Sequence, residues 1–194
     1  MNTKDYTKSE LTGLLEAVDL SSQSSSEGDL RALIIRAKEL VGADYSICAM
    51  GTVASNGLSD VLTVVNGDYP EEWVRIYKSE GLHNADPVVR HHARFCGTQL
   101  WADTYRRYTD SEAKRFFSRA GDFGLNYGIS SGVYVPGAEM VSIFSFAGSR
   151  NIFDAHNKEI VDILTLHLHK AFEKSYRMNL RPEVTAPTMY AERH

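Results

Sequence analysis

Cysteine is scarce in this sequence, and so are long apolar runs. Cys48 and Cys96 are the only two cysteines in 194 residues, too few for a disulfide-built scaffold and without the spacing of a zinc site. No stretch approaches the length of a membrane span, and the N-terminal MNTKDYTKSE has no signal-peptide core. We therefore expect a cytoplasmic protein with no membrane partner.

Basic residues are not in excess. Lys and Arg number 21 against 25 Asp and Glu, for a formal net charge of −4, whereas a chain that binds DNA or RNA by itself usually carries a basic face. The strongest basic cluster, Arg106 and Arg107 followed by Lys114 and Arg115, is interspersed with acidic residues, as is typical of a solvated helix face. The chain alone is not expected to bind nucleic acid.

Patterns that hold a metal or a phosphate are missing too. His91 and His92 are adjacent, and His167 and His169 lie two apart on a predicted helix, so the side chains of each pair diverge. There is no His-x-x-x-His pair and no phosphate-binding glycine loop. A Ser–His–Asp arrangement would not be visible in a sequence, and nothing here points to one. We expect no catalysis, no metal and no cofactor.

Apolar periodicity predicts a mixture of helices and strands. The predicted helices cover residues 5–20, 27–41, 68–81, 86–97, 110–123 and 153–176, and the predicted strands 44–53, 59–67, 127–136 and 139–148, with a short extended piece at 98–103. Strands joined in pairs by turns and flanked by helices predict an α+β domain on an antiparallel sheet. The apolar period stops after residue 176, so we expect one domain over 1–176 and a linker over 177–194.

An unusual group of aromatic residues follows the second predicted strand. Tyr69, Trp73 and Tyr77 are spaced by four, which places them on roughly one helix face, and Trp101 and Tyr105 come soon after. Packing in an ordinary core is one interpretation. Their indole N–H and phenol O–H groups need partners once buried, however, which favours a cavity that receives a ligand with polar groups.

A nearly bare strand face points the same way. Gly128, Ser130 and Gly132 alternate with larger residues in the strand predicted over 127–136, and such a face is either exposed to solvent or turned toward a cavity. The following strand also alternates small with bulky side chains. Small residues on a sheet, with amphipathic aromatics on nearby helices, indicate a pocket with an apolar body and a few polar contacts.

The stretch HNADPVV at 83–89 leaves two interpretations of Asp86 open. Asp followed by Pro and an apolar run is a helix start, in which the carboxylate accepts from free backbone N–H groups. Alternatively, the carboxylate turns into the cavity and accepts from a ligand amide N–H, while the indole N–H of Trp73 donates to a ligand carbonyl.

From about residue 28 to residue 175 the chain resembles the autoinducer-binding domain of LuxR-type quorum-sensing regulators. The positions that mark this family are matched, in order and at similar spacing, by Trp73, Tyr77, Asp86, Pro87, Trp101 and Gly128. The resemblance implies an N-acyl homoserine lactone as the ligand. It also implies an α-β-α sandwich of the GAF/PAS-like kind, with a central antiparallel sheet of about five strands.

The resemblance further implies the residues that contact the ligand. Trp73 would donate to the lactone carbonyl, Asp86 would accept from the amide N–H, and Tyr69 would donate to the amide carbonyl. Further polar contacts are expected from Ser130 and Ser145. The remaining predicted contacts surround the ring end (Trp101, Tyr105, Phe117) or line the acyl channel (Ile47, Ala49, Thr63, Val65, Tyr77, Val88).

Members of this family usually form homodimers and carry a C-terminal helix-turn-helix domain that binds DNA. The chain ends at His194, where that domain is expected to begin, so we interpret it as the ligand-binding part of a longer regulator. Two other interpretations stay open. The chain is a stand-alone binding module or an antagonist of a full-length regulator, or it senses a different small amide or lactone.

Overall fold

The computed structural model describes residues 6–54 and 57–179. The helices in this part of the chain are α1 (Lys8–Gln23), α2 (Glu27–Leu40), α3 (Glu71–Ser79), α4 (Pro87–Phe95), α5 (Trp101–Arg107), α6 (Ser111–Gly121) and α7 (Ala155–Asn179). The strands are β1 (Tyr45–Ala54), β2 (Gly57–Asn66), β3 (Gln99–Leu100), β4 (Tyr127–Ser131), β5 (Tyr134–Val135) and β6 (Met140–Gly148). Within these residues no helix is both long and apolar enough to cross a bilayer.

A single antiparallel sheet lies between two layers of helices. Its strand order is β2-β1-β6-β4-β3, and β5 pairs with β6. Because side chains alternate along a strand, Phe144 and Phe146 of β6 pack with α1, α2 and α7, whereas Ala147 packs with the aromatic residues of α3, α5 and α6. The predicted α-β-α sandwich with an antiparallel sheet is confirmed.

Capping boxes mark the starts of the first two helices, although α1, predicted over 5–20, begins at Lys8. Ser26 accepts from the backbone N–H of Asp29, and the Asp29 side chain accepts from the backbone of Ser26, which is a complete capping box. Thr7 and Glu10 form the same arrangement at the start of α1. The loop predicted over 21–28 is shorter than expected, because α1 continues to Gln23.

Two predicted extended segments differ from the structure. The piece predicted over 98–103 is a strand only at Gln99–Leu100, and α5 begins at once with Trp101; since Leu100 offers no side-chain cap, the sequence carries no signal for this helix start. The strand predicted over 127–136 breaks after Ser131. At Gly132, a Cβ atom would lie 1.8 Å from the Ser142 carbonyl oxygen, so the backbones approach closely at the break.

The bare face of β4 is filled by aromatic side chains from the helical layer. A Cβ atom on Gly128 would lie 2.7 Å from two ring atoms of Trp101, and one on Gly132 would lie 2.7 Å from His92 Nε2. This face is therefore neither exposed nor open to a cavity, which differs from the expectation drawn from the sequence. It provides the space that lets Trp101 lie flat against the sheet.

We predict that Gly128→Ala lowers the free energy of unfolding by about 1–3 kcal/mol, because the new methyl group overlaps the Trp101 ring and the Phe146 carbonyl oxygen. Urea unfolding of the ligand-free protein measures the change. Gly28→Ala in α2 is the matched control. Its Cβ would meet nothing closer than Ser26 Oγ at 3.7 Å, so its stability should stay level or rise. Equal stability of the two variants would contradict the close approach at Gly128.

Candidate functional site

A large cavity lies between the sheet and the layer formed by α3 to α6. Its volume is about 590 Å³, within the range of roughly 300–1,000 Å³ typical of small-molecule sites. Aliphatic side chains from β1, β2 and β6 form one wall, and aromatic side chains from α3, α5 and α6 form the opposite wall. The lining is mainly apolar, although it also includes the polar residues Asp60, Asn66, Lys78 and His83. The cavity therefore suits a ligand with a long apolar part and a smaller polar part.

Most of the residues predicted to contact a ligand converge on this cavity. Those that line it are Ile47, Ala49, Thr63, Tyr69, Trp73, Tyr77, Asp86, Val88, Trp101, Tyr105 and Ser145. They come from helices or their flanking loops and from three strands, so only the tertiary fold brings them together. Three predicted contacts, Val65, Phe117 and Ser130, lie elsewhere.

Val65 faces away from the cavity. In the β1–β2 pair it lies opposite Cys48, and both side chains belong to the core beneath α1, α2 and α7. Its neighbour Val64, opposite Ala49, lines the cavity instead. A shift of one residue exchanges the two faces of a strand. The pairing of β1 with β2 is irregular at two points between Val64 and the predicted turn, so counting from that turn does not give the face.

Phe117 and Ser130 lie behind the lining. The Phe117 ring packs against Tyr105 with 3.6 Å between ring centroids, while its neighbour Phe116 reaches the cavity. Ser130 is fully buried beneath Ser145, and its Oγ lies 2.8 Å from Ser145 Oγ. Either residue can influence a ligand only through the side chain in front of it.

The segment GISSG at 128–132 matches the sequence motif Gly-x-Ser-x-Gly of the nucleophile elbow. In hydrolases that motif is a sharp strand-to-helix turn that exposes the serine. Here it forms strand β4, and Ser130 is buried with its hydroxyl engaged by Trp101 and Ser145. Neither serine of this segment is exposed as a nucleophile. Nor do the described residues contain a group of three or more His, Cys, Asp or Glu side chains that could hold a metal ion.

Several lining residues were not predicted individually. They include Val64, Val89, His92, Phe116, Ala120, Leu125, Val141 and Ile143. The alternation of Val141 and Ile143 with the phenylalanines of β6 does carry a signal, since it places them on the same face as Ser145. Nothing in the sequence marks Ala120 or Leu125, because both reach the wall through the path of the chain around the end of α6.

Asp86 serves as a helix cap and as a polar group of the cavity at once. Its Oδ1 accepts from the Val88 N–H at 2.8 Å and, at 3.4 Å, from the Val89 N–H, which caps α4. Its Oδ2 accepts from the Tyr77 hydroxyl at 2.9 Å. The two interpretations that the sequence left open are therefore compatible, because each uses a different carboxylate oxygen and each oxygen has more than one lone pair.

Burial makes ionisation of Asp86 unfavourable. Desolvation raises its pKa from 3.8 to about 6, although bonds from Tyr77, Val88 and Val89 act in the opposite direction. Burial also raises the pKa of Tyr69, Tyr77 and Tyr105 well above the usual value, and the nearby charge of Asp86 adds to each shift. The three phenols are therefore hydrogen-bond donors at any physiological pH.

Two of these phenols have no hydrogen-bond partner in the described part of the chain. The hydroxyl oxygens of Tyr69 and Tyr105 are buried and make no hydrogen bond among the described residues. Both side chains line the cavity. A buried hydroxyl without a partner costs about 1–3 kcal/mol, so these groups mark where a ligand with acceptor atoms would be held most favourably.

Buried polar contacts hold α4 against the sheet. The Gln99 side chain donates to the Val88 carbonyl oxygen at 3.0 Å and accepts from the Thr104 hydroxyl at 2.7 Å. Further along α4, His92 Nε2 lies 2.9 Å from the Ser142 carbonyl oxygen. Burial lowers the pKa of His92, so the ring is neutral and its Nε2–H is the donor. These contacts fix the helix that presents Asp86.

Comparison with known proteins places the chain among bacterial regulators. The family model of the autoinducer binding domain matches residues 26–172. The transcriptional activator protein SolR of Ralstonia nicotianae is 29% identical over 118 residues, which make up 61% of this chain and 48% of SolR. The chain thus spans about half the length of the curated relatives it matches.

Solved structures share the fold. The N-acylhomoserine lactone dependent LuxR family transcription factor CepR2 of Burkholderia cenocepacia superposes with a TM-score of 0.68 at 20% identity, over 89% of this chain and 99% of that one. SdiA in complex with octanoyl-rac-glycerol superposes with a TM-score of 0.65 at 18% identity, over 99% of this chain and 74% of SdiA.

We predict that Asp86→Asn changes how stability depends on pH. Because the pKa of Asp86 is 3.8 in a free side chain and about 6 in the fold, the folded state binds more protons between these values, and ionisation lowers stability as the pH rises. Asn keeps the capping oxygen but cannot ionise. The stability of the variant relative to wild type should therefore rise by roughly 2.5 kcal/mol between pH 4 and pH 7, measured by urea unfolding without ligand.

Asp110→Asn is the control for this experiment. Asp110 also caps a helix, accepting from the Ala113 N–H at 2.9 Å, but it is exposed and that bond lowers its pKa. Its ionised form therefore stabilises the fold above pH 3.8, and the stability of this variant relative to wild type should fall as the pH rises. If the stability relative to wild type changed with pH in the same direction in both variants, burial would not determine how ionisation of Asp86 affects stability.

Proposed function

The chain belongs to the autoinducer-binding domain family of LuxR-type transcriptional regulators, and from that premise we propose that its cavity binds an N-acyl homoserine lactone. The family consists of ligand-binding domains of regulators, not of enzymes, which supports a sensor role. The ligand class rests on the polar groups of the cavity.

One observation carries the proposal: a buried carboxylate lies beside buried hydroxyl donors in a cavity whose lining is mainly apolar. Asp86 can accept one more hydrogen bond, while the Tyr69 and Tyr105 hydroxyls have hydrogens to donate. A secondary amide offers a donor and an acceptor side by side. An acyl homoserine lactone adds a lactone carbonyl on one side of the amide and an alkyl chain on the other.

The lining residues suggest how the ligand lies. We place the amide N–H on Asp86, the amide carbonyl by Tyr69 and Ser145, and the lactone by Trp73, Trp101 and Tyr105, as the family resemblance implies. The acyl chain then runs along the aliphatic wall formed by Ile47, Ala49, Val64, Val141 and Ile143. Polar groups of the ligand thus contact polar side chains, and the acyl chain is removed from water where the cavity wall is apolar.

Binding would also stabilise the fold. The empty cavity forfeits dispersion contacts and leaves two buried hydroxyls unpartnered among the described residues, and a ligand supplies both. In a longer LuxR-type regulator, this dependence of the folded population on signal would control DNA binding by a C-terminal helix-turn-helix domain. The segment 177–194 would then serve as the linker to it.

A competing ligand class is an acyl ester. SdiA is known in complex with octanoyl-rac-glycerol, whose ester has a carbonyl but no amide N–H. Its glycerol hydroxyls could reach Asp86 only from a different position. CepR2 is described as N-acylhomoserine lactone dependent, and the unfilled acceptor of Asp86 beside hydroxyl donors favours the amide for this chain.

We predict that acyl homoserine lactones raise the melting temperature of the ligand-free protein by several degrees. Ligand at a hundredfold excess over Kd contributes about 2.7 kcal/mol to the stability of a fold that alone binds it. Thermal shift measurements with acyl chains of increasing length, with octanoyl-rac-glycerol in parallel, give the test. No response to any acyl lactone from protein shown to be empty would contradict the proposal, and a response to the ester alone would replace it.

We predict that Asp86→Ala weakens binding of an acyl homoserine lactone by about tenfold to a hundredfold, because a hydrogen bond to a charged acceptor contributes about 1.5–3 kcal/mol. Isothermal titration calorimetry measures the affinity. Asp110→Ala removes the cap of α6, and Asp110 does not line the cavity. This variant should lose about 1 kcal/mol of stability with unchanged affinity. If both variants bind as tightly as wild type, Asp86 acts only as a cap.

A further inference from the structure

Three side chains form a series of hydrogen bonds that runs from the helical layer to the cavity wall. Trp101 Nε1 donates to Ser130 Oγ at 2.8 Å, and Ser130 Oγ lies 2.8 Å from Ser145 Oγ. Ser130 and Ser145 are directly opposite each other on β4 and β6, so the sheet itself sets their separation. Ser145 lines the cavity beyond the buried Ser130.

The direction of these hydrogen bonds follows from the atoms available. An indole N–H can only donate, so Ser130 Oγ accepts from Trp101 and still has its own hydrogen to place. Ser130 is completely buried, and its other hydrogen-bond partner in the described chain is Ser145. If Ser145 donated to Ser130, the Ser130 hydrogen would be left buried without an acceptor, which is unfavourable. Ser130 therefore donates to Ser145.

This direction leaves the Ser145 hydrogen free. Ser145 Oγ has Ser130 as its hydrogen-bond partner among the described residues, and it already accepts there. Its own hydrogen is then directed to the cavity, and successive bonds in such a chain strengthen one another. A hydroxyl that could in isolation either donate or accept is thereby set to donate.

We propose that Trp101 and Ser130 are positioning residues that make Ser145 a dedicated hydrogen-bond donor to the carbonyl of the ligand amide. The inference rests on the proposed function and deepens it. Asp86 and Ser145 then present opposite polarities, an acceptor for the N–H and a donor for the C=O. Trp101 thus does more than contact the lactone ring. Ser130 does not reach the cavity, but it still determines which ligand is accepted.

The test compares Ser130→Ala with Ser131→Ala. Ser131 is the next residue of β4 and is also buried, but its hydroxyl faces α7 and bonds Thr165 and Thr98. Affinities for N-decanoyl homoserine lactone and for its thioamide analogue, whose sulfur accepts hydrogen bonds poorly, are measured by calorimetry. Ser130→Ala should weaken amide binding about three- to tenfold and reduce the preference for the amide over the thioamide. Ser131→Ala should leave both affinities unchanged.

A second pair of variants tests Trp101, the first donor in this series of hydrogen bonds. Trp101→Phe keeps a ring but removes the N–H, and it should weaken binding in the wild-type background more than in the Ser145→Ala background, where no hydroxyl remains to be directed. Wild-type preference for the amide in both Ser130→Ala and Trp101→Phe would overturn the inference and leave the proposed function standing. Failure of the wild-type protein to bind either ligand would overturn the proposed function and the inference with it.

Discussion

A carboxylate buried at the start of α4 is the constraint on which the cavity depends. Asp86 is tolerated there because Val88, Val89 and Tyr77 all donate to it, and those same bonds fix the beginning of the helix and the position of the Tyr77 ring. The contacts are not sufficient to offset desolvation, as the raised pKa of about 6 shows. The site therefore holds an acceptor that gains from one more donor, as a binding site for an amide requires.

The sheet separates a solid half of the domain from a hollow half. On one side Phe144, Phe146 and Phe172 pack with the aliphatic residues of α1, α2 and α7 and are almost completely buried. On the other side the aromatic layer surrounds the cavity. Since a closely packed core resists any change in its volume, the solid half can hold the sheet while the hollow half stays responsive to a ligand.

The features that the sequence revealed are local ones. Helix starts at Ser26 and Asp86 follow from short-range bonds between a side chain and backbone N–H groups two or three residues on, and the alternation in β6 follows from strand geometry. The spacing of Trp73 and Tyr77 likewise predicts a shared face of α3, because residues four apart lie about one helical turn from each other, whereas Tyr69 lies just before that helix. The family resemblance added an expected ligand class, and most of the contact residues that it implied line the cavity.

Other features were decided by contacts between distant parts of the chain. Val64 rather than Val65 lines the cavity because Val64 pairs with Ala49 on the cavity face, whereas Val65 pairs with Cys48 on the core face. Trp101 begins a helix without a capping signal, and the bare face of β4 holds its ring. The direction of the Ser145 hydroxyl depends on Ser130 and Trp101 together. By itself the sequence determined most of the elements, the layers and most of the polar residues of the site, because these follow from local periodicity and from the family resemblance. Only the tertiary structure decided register, burial and hydrogen-bond direction, because each depends on which atoms from another segment lie within a few ångströms.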